Sequence, residues 1–244
     1  MKKPVLVAFV TLFAALTAFA QKITVVTEEY PPYNYLDGAT KKIVGLSTEV
    51  VEEAFRRAKI EYQISMYPWA RAYQVAQDDP NVAIYSIGRS QKREALFKWV
   101  DVIAPYNVYL YRLKGRTDIK ATDLGGLKSL RIGAVREDVR AQYLDKEGVK
   151  MDLVTEDGIN AKKLAADRID LFPIDEMGQV ALYKREGLDP ASVVKVLKLE
   201  ALSSGLYLAF SKKTSDDFVN RSKKALQEMQ KDGTIDKIKA KYLK

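Results

Sequence analysis

The 244-residue chain has 47% hydrophobic residues, 40 lysines and arginines against 32 aspartates and glutamates, and neither cysteine nor histidine. The missing residue types exclude disulfide bonds, thiolate nucleophiles and imidazole bases, and with them nearly all zinc sites and most familiar enzyme active sites. The net charge of +8 is scattered rather than interleaved with aromatic residues, so we expect no nucleic-acid partner, and no motif indicates a metal or cofactor.

The first 20 residues have the pattern of a cleavable secretory signal peptide. Lys2 and Lys3 precede an apolar run from Val5 to Phe19, and the small-residue motif Ala-Phe-Ala ends at Ala20. The run is shorter than the roughly 20 apolar residues that span a bilayer comfortably, so cleavage is favoured over a membrane anchor. No later stretch is apolar enough to span, and we expect a soluble exported protein.

Short strand-like runs alternate with amphipathic helices in the first part of the mature chain, which predicts an α/β fold with mainly parallel sheets. A hairpin-like turn is expected at Asp37-Gly38. The predicted elements are, in chain order, strand 22–27, helix 48–57, strand 60–66, a short helix opening at Pro68, strand 81–86 and strand 106–111.

A second set of alternating elements follows, and two helices close the chain. The predictions are strand 131–135, a helix to Lys146, strand 149–154, helix 160–167, strand 169–173, helix 175–186, strand 205–210, and helices 215–230 and 234–242. No repeat of fixed period and no low-complexity segment interrupts this pattern.

Seven short motifs appear in a fixed order along the mature chain. They are Tyr30-Pro31-Pro32-Tyr33, Gly45 with Glu49, the run from Ser86 to Glu94 leading into Phe97-Lys98-Trp99, Asp123-Leu124-Gly125-Gly126, Arg168-Ile169-Asp170, Asp175-Glu176, and Asp232-Gly233-Thr234-Ile235. Each motif alone is a weak signal. In this order they resemble the family-3 extracellular solute-binding proteins, the polar amino-acid-binding subunits of ABC importers.

The resemblance implies a type II periplasmic-binding-protein fold, in which two α/β lobes are joined by two crossing strands. Lobe one would comprise residues 22–108 plus 205–244, and lobe two 113–200, with a hinge at about 109–112 and 201–204. The ligand would bind in the cleft between the lobes, which close about the hinge. This agrees with the strand pattern, because ligands of α/β sheets bind beyond the carboxyl ends of the strands.

The function implied is that of a monomeric, non-catalytic receptor. It would capture a small polar ligand, an amino acid or derivative, and deliver it to the membrane permease of an ABC importer. Since the chain has no cysteine to carry a lipid anchor, we expect it to diffuse freely in the periplasm. Two alternatives stay open: a dehydratase-like enzyme using Glu28, Glu29 or Glu137 as its acid, and a sensor that docks on a signalling receptor.

In lobe one the resemblance gives Arg93 the role of holding the ligand carboxylate, for which a planar guanidinium offers two parallel hydrogen bonds. Tyr30 matches the aromatic residue that covers the ligand. Trp69 matches a wall of the site, with core packing as the alternative. Arg71 either lines the cleft or points outward, and Arg89 either binds or decorates a helix start.

Ser86 and Gly88 fall where the family presents hydroxyl and backbone groups to the ligand. Glycine allows close approach of the backbone. Many members have threonine or serine in place of Gly88, so one hydrogen bond to the carboxylate is missing here, and Arg89 could replace it.

In lobe two Asp175 matches the carboxylate that holds the ligand's α-ammonium. The same residue could cap the helix it opens, and the two roles are compatible. Arg136, Glu137 and Asp138 replace the more usual glycine and hydroxyl residues of the lobe-two loop. Arg136 and Asp138 are therefore candidate ligand contacts, and a ligand with additional charge, a dicarboxylate or a dipeptide-like molecule stays open.

Overall fold

The computed structural model describes residues 22–242. The predicted signal peptide at 1–20 lies outside the described residues. Among the residues described, no helix is both long and apolar enough to cross a bilayer.

The first part of the described chain forms seven strands and two α-helices. In chain order these are β1 (Ile23–Thr27), β2 (Tyr35–Leu36), β3 (Ile43–Val44), α1 (Leu46–Ala58), β4 (Tyr62–Met66), α2 (Trp69–Asp78), β5 (Val82–Gly88), β6 (Phe97–Ala104) and β7 (Val108–Leu113). The predicted turn at Asp37-Gly38 lies in the loop between β2 and β3, which pair antiparallel.

The remaining elements are β8 (Ile132–Val135), α3 (Val139–Lys146), β9 (Met151–Val154), α4 (Asp157–Ala165), β10 (Phe172–Asp175), α5 (Glu176–Arg185), β11 (Val193–Lys198), β12 (Leu206–Ser211), α6 (Asp216–Lys231) and α7 (Thr234–Tyr242). Short 3₁₀ turns link several of them. β11 is absent from the sequence-based elements, because its residues combine lysines with valines and only one of the six, Val193, is buried.

Lobe one is built on a five-stranded sheet in the order β4-β1-β5-β12-β6. Both faces are covered, and alternate residues of each strand join different apolar clusters: Val25 packs with α1, and Val26 packs with α2. All seven residues of β5 are buried. A central strand covered on both faces reads as a continuous apolar run, which explains why the sequence pattern found it.

Lobe two combines a three-stranded sheet in the order β10-β7-β11 with the parallel pair β8-β9. A parallel bridge between Ile132 and Leu171 joins the two parts. α4 and α5 pack against β10 and place their N-termini at the carboxyl ends of the strands. These strand ends face lobe one.

The prediction of mainly parallel sheets is wrong. β12 runs antiparallel to both β5 and β6, and β7 runs antiparallel to both β10 and β11. The five-stranded sheet is therefore mixed, since β1 runs parallel to β4 and β5, whereas the three-stranded sheet is antiparallel throughout.

The chain passes from one sheet to the other between Ala104, the end of β6, and Val108, the start of β7, and returns between Lys198 and Leu206. Residues 109–112, where the sequence suggested a hinge, form ladder pairs with β10 and β11. The division into lobes at 22–108 plus 205–244 and 113–200 stays a prediction, and the sheet pairing puts the first connection at 105–107.

Candidate functional site

Chemically active side chains of both lobes lie at the carboxyl ends of strands. In lobe one Glu28 and Tyr30 follow β1, and Arg93 follows β5. In lobe two Asp138 follows β8, and Asp175 ends β10. Because these ends face one another across the lobe boundary, residues far apart in the chain meet there.

Arg93 is fully buried, and its side chain contacts both lobes. Its Nη1 donates to the Gly88 carbonyl at 3.0 Å, within lobe one, while Nη2 donates to the Glu137 carbonyl at 2.7 Å and Nε to Gln142 Oε1 at 3.0 Å, both in lobe two. The guanidinium carbon lies 4.8 Å from the centre of the Tyr73 ring. The planar donor fork is thus held between the lobes in a desolvated setting, where charge-assisted hydrogen bonds are strong.

Trp69 shares the acceptor of Arg93. Its indole Nε1 donates to the Glu137 carbonyl at 2.9 Å, and its ring stacks on Tyr73 and lies 5.3 Å from the Arg93 guanidinium carbon. The same side chain belongs to the apolar cluster beneath α2. Core packing, one of the two alternatives drawn from the sequence, is therefore present in the structure, and the role of Trp69 as a wall of the ligand site stays a prediction.

Positive φ angles occur on both sides of this contact, at Ser86 (φ 57°) and Glu137 (φ 60°). Residues other than glycine adopt this conformation at a cost of order 1–3 kcal/mol, and such strain concentrates at functional sites. At Glu137 the carbonyl produced by this turn accepts hydrogen bonds from Trp69 and Arg93. The Ser86 hydroxyl donates to Asn34 Oδ1 rather than facing the opposite lobe.

Asp175 links lobe two to two tyrosines of lobe one. Its carboxylate caps α5 by accepting from the N–H groups of Met177 and Gly178 at 3.1 and 3.0 Å. The hydroxyl groups of Tyr30 and Tyr33 donate to its two oxygens. Burial raises the pKa of Asp175, against the tyrosine hydrogen bonds that lower it. The capping role is present in the structure; an ammonium contact stays a prediction.

Arg140, on the first turn of α3, makes buried contacts in lobe two, and no sequence pattern points to it. It is 1% exposed, and donates to Asp138 Oδ1 at 2.6 Å, to Asp157 Oδ2 at 2.9 Å and to the Pro173 carbonyl at 3.0 Å. Asp138 also caps α3 through the Arg140 N–H. Although burial alone would raise the pKa of Asp138, the attached Arg140 lowers it, whereas burial raises the pKa of Asp157 to about 6.

Residues 23–244 match the family described as bacterial extracellular solute-binding proteins, family 3. This chain belongs to that family. The resemblance drawn from the seven ordered motifs is confirmed, and with it the function of a solute-binding protein.

Known relatives and solved structures agree with this family-3 membership. The L-cystine-binding protein TcyA of Bacillus subtilis (strain 168) is 25% identical over 226 residues, covering 90% of this chain and 80% of TcyA. TcyJ, the L-cystine-binding protein of Escherichia coli (strain K12), is 26% identical over 223 residues, covering 87% of this chain and 79% of TcyJ.

An ancestral arginine-binding protein bound to arginine has a similar structure, with a TM-score of 0.78 at 22% identity, covering 91% of this chain and 98% of that one. A histidine kinase sensor domain with similarity to periplasmic binding proteins has a TM-score of 0.76 at 18% identity, covering 91% and 96%. At these identities the likeness concerns the fold, and it confirms the two-lobed type II architecture.

Three arginines near the family-3 motifs lie outside the buried contacts. Arg71 is exposed, with its guanidinium carbon 4.4 Å from the centre of the Tyr67 ring. Arg136 is exposed, and its backbone N–H donates to Val154. Arg89 forms a forked ion pair with Glu94 on the surface. Contact of Arg71 and Arg136 with the solute stays a prediction.

At Gly88 the backbone of lobe one lies close to a side chain of lobe two. A Cβ atom placed on it would lie 2.7 Å from Cγ1 of Val139, the first residue of α3. Real Cβ atoms do not tolerate such a distance. Glycine at this position therefore permits direct contact between the lobes.

Proposed function

We propose that this protein captures a small polar solute, an amino acid or amino-acid derivative, in the periplasm and delivers it to the permease of an ABC importer. The observation that carries the proposal is Arg93, a buried donor fork of lobe one directed at lobe two. A solute carboxylate would take the place of the Glu137 carbonyl as its acceptor. The names of the L-cystine-binding and arginine-binding relatives support an amino-acid ligand.

The energetics are adequate for transport. Micromolar affinity corresponds to about 8 kcal/mol. Two charge-assisted hydrogen bonds from Arg93 would contribute about 1.5–3 kcal/mol each, and aromatic shielding by Trp69 and Tyr30 strengthens them by excluding water. An ammonium contact with a lobe-two carboxylate would supply much of the remainder.

Mass spectrometry of small molecules released from the purified, folded protein tests the ligand class. We expect an amino acid or derivative, and calorimetry with that compound should give saturable binding at one site per chain. Release of a sugar or a nucleotide, with no binding of L-amino acids or L-cystine, would contradict the proposal.

Family 3 consists of binding proteins, and we propose that this member is a monomeric binding protein rather than an enzyme. A large molar excess of the released compound, incubated with the protein and followed by NMR, should persist unchanged. Conversion of more than one equivalent would instead favour the dehydratase-like alternative. Loss of cellular uptake on deleting the gene would favour import over sensing.

Gly88→Ala is expected to weaken solute binding by about 10-fold, since overpacking a close contact costs about 1–3 kcal/mol. The added methyl group would meet Val139 and hold the lobes apart. Calorimetry gives the affinity, and small-angle scattering should show a larger radius of gyration.

The double variant Gly88→Ala, Val139→Ala should recover binding, because it removes the methyl groups that collide. Gly38→Ala is the matched control, since no atom lies within 4 Å of its Cβ position. Equal affinity in Gly88→Ala and the parent protein would show that solute binding does not bring these two residues together.

A further inference from the structure

A cavity of about 530 Å³ lies beside the connection that returns from β11 to β12, and its volume is within the range of small-molecule sites. Its lining comes from three segments: residues 90–92, which follow β5 in lobe one, one side of α3 in lobe two, and Ala201 and Leu202 in the connection itself. We refer to it as the return-side cavity. An occupant would contact both lobes and the chain that joins them.

The wall from lobe two is one face of α3. Four lining residues follow the i, i+3, i+4 and i+7 spacing of a single helix face: Val139, Gln142, Tyr143 and Lys146. Val139 is buried and Tyr143 is half-buried, whereas Lys146 is exposed. Together with the buried Leu202 of the connection, they give the cavity apolar inner walls and place its charged groups at the open side.

The return-side cavity is distinct from the space next to Trp69. That space is a cavity of about 220 Å³, and the two cavities have no lining residue in common. Arg93 contacts both linings, since its guanidinium carbon lies 5.3 Å from the centre of the Trp69 ring and its Nε donates to Gln142. Its Nη groups, where we place the solute carboxylate, donate to Gly88 and Glu137, and neither residue lines the return-side cavity.

The polar lining of the return-side cavity favours an anion. The hydroxyl oxygen of Ser90 is buried and has no hydrogen-bond partner within residues 22–242, and a buried polar atom without a partner is costly unless something binds it. The charged lining residues are Lys92, Lys146 and Asp145, so the lining has an excess of one positive charge. A serine hydroxyl and an ammonium group both donate hydrogen bonds that a carboxylate accepts.

We propose that the return-side cavity binds a small organic carboxylate with an apolar body. Its carboxylate would accept hydrogen bonds from the Ser90 hydroxyl and from the ammonium groups of Lys92 and Lys146. Its apolar body would pack against Val139 and Leu202. Inorganic phosphate would satisfy the donors but leave these apolar walls without a contact, so the combination selects an organic anion over an inorganic one.

Such a ligand would also tighten the binding of the solute, a consequence that rests on the proposed function. It contacts lobe one through residues 90–92 and lobe two through α3, so it binds best when the lobes lie together. A ligand that binds one arrangement of a protein better than another shifts the equilibrium toward that arrangement. Because the solute is proposed to bind between the same lobes, each ligand should raise the affinity of the other.

The first test uses 4-fluorophenylacetate as the probe, titrated at constant ionic strength and followed by ¹⁹F NMR. We expect saturable binding that is at least about 10-fold tighter than that of 4-fluorobenzyl alcohol, which keeps the ring but has no charge. 4-Fluorophenethylamine, with an ammonium group in place of the carboxylate, should bind more weakly still. Binding that does not saturate, or that is equal for the three compounds, would overturn the site.

Two variants locate the bound probe. Ser90→Ala should bind it about 10-fold more weakly, since a hydrogen bond to a charged group is lost, and the fold loses no hydrogen bond because that hydroxyl has no partner within residues 22–242. The double variant Lys92→Gln, Lys146→Gln should weaken binding by at least as much. Lys128→Gln is the matched control, an exposed lysine of lobe two that does not line the cavity, and should bind the probe as the parent protein does. Unchanged affinity in Ser90→Ala or in the double variant would overturn the site.

The second test measures the coupling by calorimetry. The compound released from the purified protein is titrated with and without saturating 4-fluorophenylacetate, and we expect about 5-fold tighter binding or more in its presence. That gain should disappear in Ser90→Ala. Weaker solute binding would show that the probe competes for the solute site, and unchanged binding would show that it does not tie the lobes together; either result overturns the coupling. If the released compound is not an amino acid or derivative, the proposed function fails, whereas the return-side cavity still stands or falls by the first test.

Discussion

Arg93→Ala is expected to lower solute affinity by about 100-fold or more, because two charge-assisted hydrogen bonds to the solute carboxylate are lost at about 1.5–3 kcal/mol each. Arg93 is fully buried, and its guanidinium carbon lies 5.3 Å from the centre of the Trp69 ring and 4.8 Å from that of the Tyr73 ring. The donors therefore act in a setting where water does not compensate for their loss. Calorimetry with the compound released from the parent protein measures the effect.

Arg89→Ala is the matched control, since Arg89 lies four residues before Arg93 and forms an exposed ion pair with Glu94. Its removal should change affinity less than about twofold, as exposed pairs contribute little. Arg93→Lys keeps the charge but loses the fork, and should fall between the two. Equal binding by Arg93→Ala and the parent protein would remove Arg93 from the site, and circular dichroism of each variant shows that it is folded.

The elements on which these residues lie could be predicted from the sequence where one physical signal dominates. The apolar run of β5 and the 3.6-residue periodicity of α1 each set an element within about two residues. For β10 the sequence predicts a strand nearer the N-terminus, at 169–173, because Ile169 and Leu171 extend the apolar run. In the structure, pairing with β7 begins at Phe172. The start of β10 depends on which of its residues pair with β7, and the hydrophobic pattern of β10 alone does not contain that information.

The sequence could indicate a candidate site residue where that residue type has few structural roles at its position. Arg93 stands in a motif beside a strand end, and Asp175 opens a helix, so both could be selected. The contact of Asp175 with Tyr30 joins residues 145 positions apart, and that with Tyr33 joins residues 142 apart. No local pattern predicts such a pair.

Arg140 was missed for a related reason. It stands two residues after Asp138, a spacing that places no side-chain pair on one helix face. It meets Asp157 because α3 and α4 begin just after the carboxyl ends of the paired strands β8 and β9. The charged run of Arg136, Glu137 and Asp138 suggested a solute with extra charge. Burial then divides that run: Asp138 is inside, whereas Arg136 is exposed.

Arg140→Met is expected to reduce the free energy of unfolding by about 3–5 kcal/mol, the usual cost of removing one partner of a buried ion pair. Methionine fills much of the volume but leaves Asp138 and the Oδ2 atom of Asp157 without their donor. Urea unfolding followed by circular dichroism measures the loss. Arg131→Met is the matched control in the same lobe: its side chain is 53% exposed although it pairs with Asp170, so we expect a loss below about 1 kcal/mol.

The loss in Arg140→Met should depend on pH in a direction fixed by the carboxyl groups. An acid whose pKa is raised by folding stabilises the protein fully below its unfolded pKa, about 4, and that contribution disappears as the pH rises through its folded value. Burial already raises the pKa of Asp157 to about 6 with Arg140 present, and removing the guanidinium raises it further. The variant should therefore be closest to the parent protein near pH 4 and fall furthest behind near about pH 8. Adding Asp138→Asn and Asp157→Asn to Arg140→Met should recover part of the stability at that higher pH, because neutral amides do not need the missing positive charge. A loss of stability that is independent of pH, or no larger than that of Arg131→Met, would show that Arg140 does not hold these carboxylates in the fold.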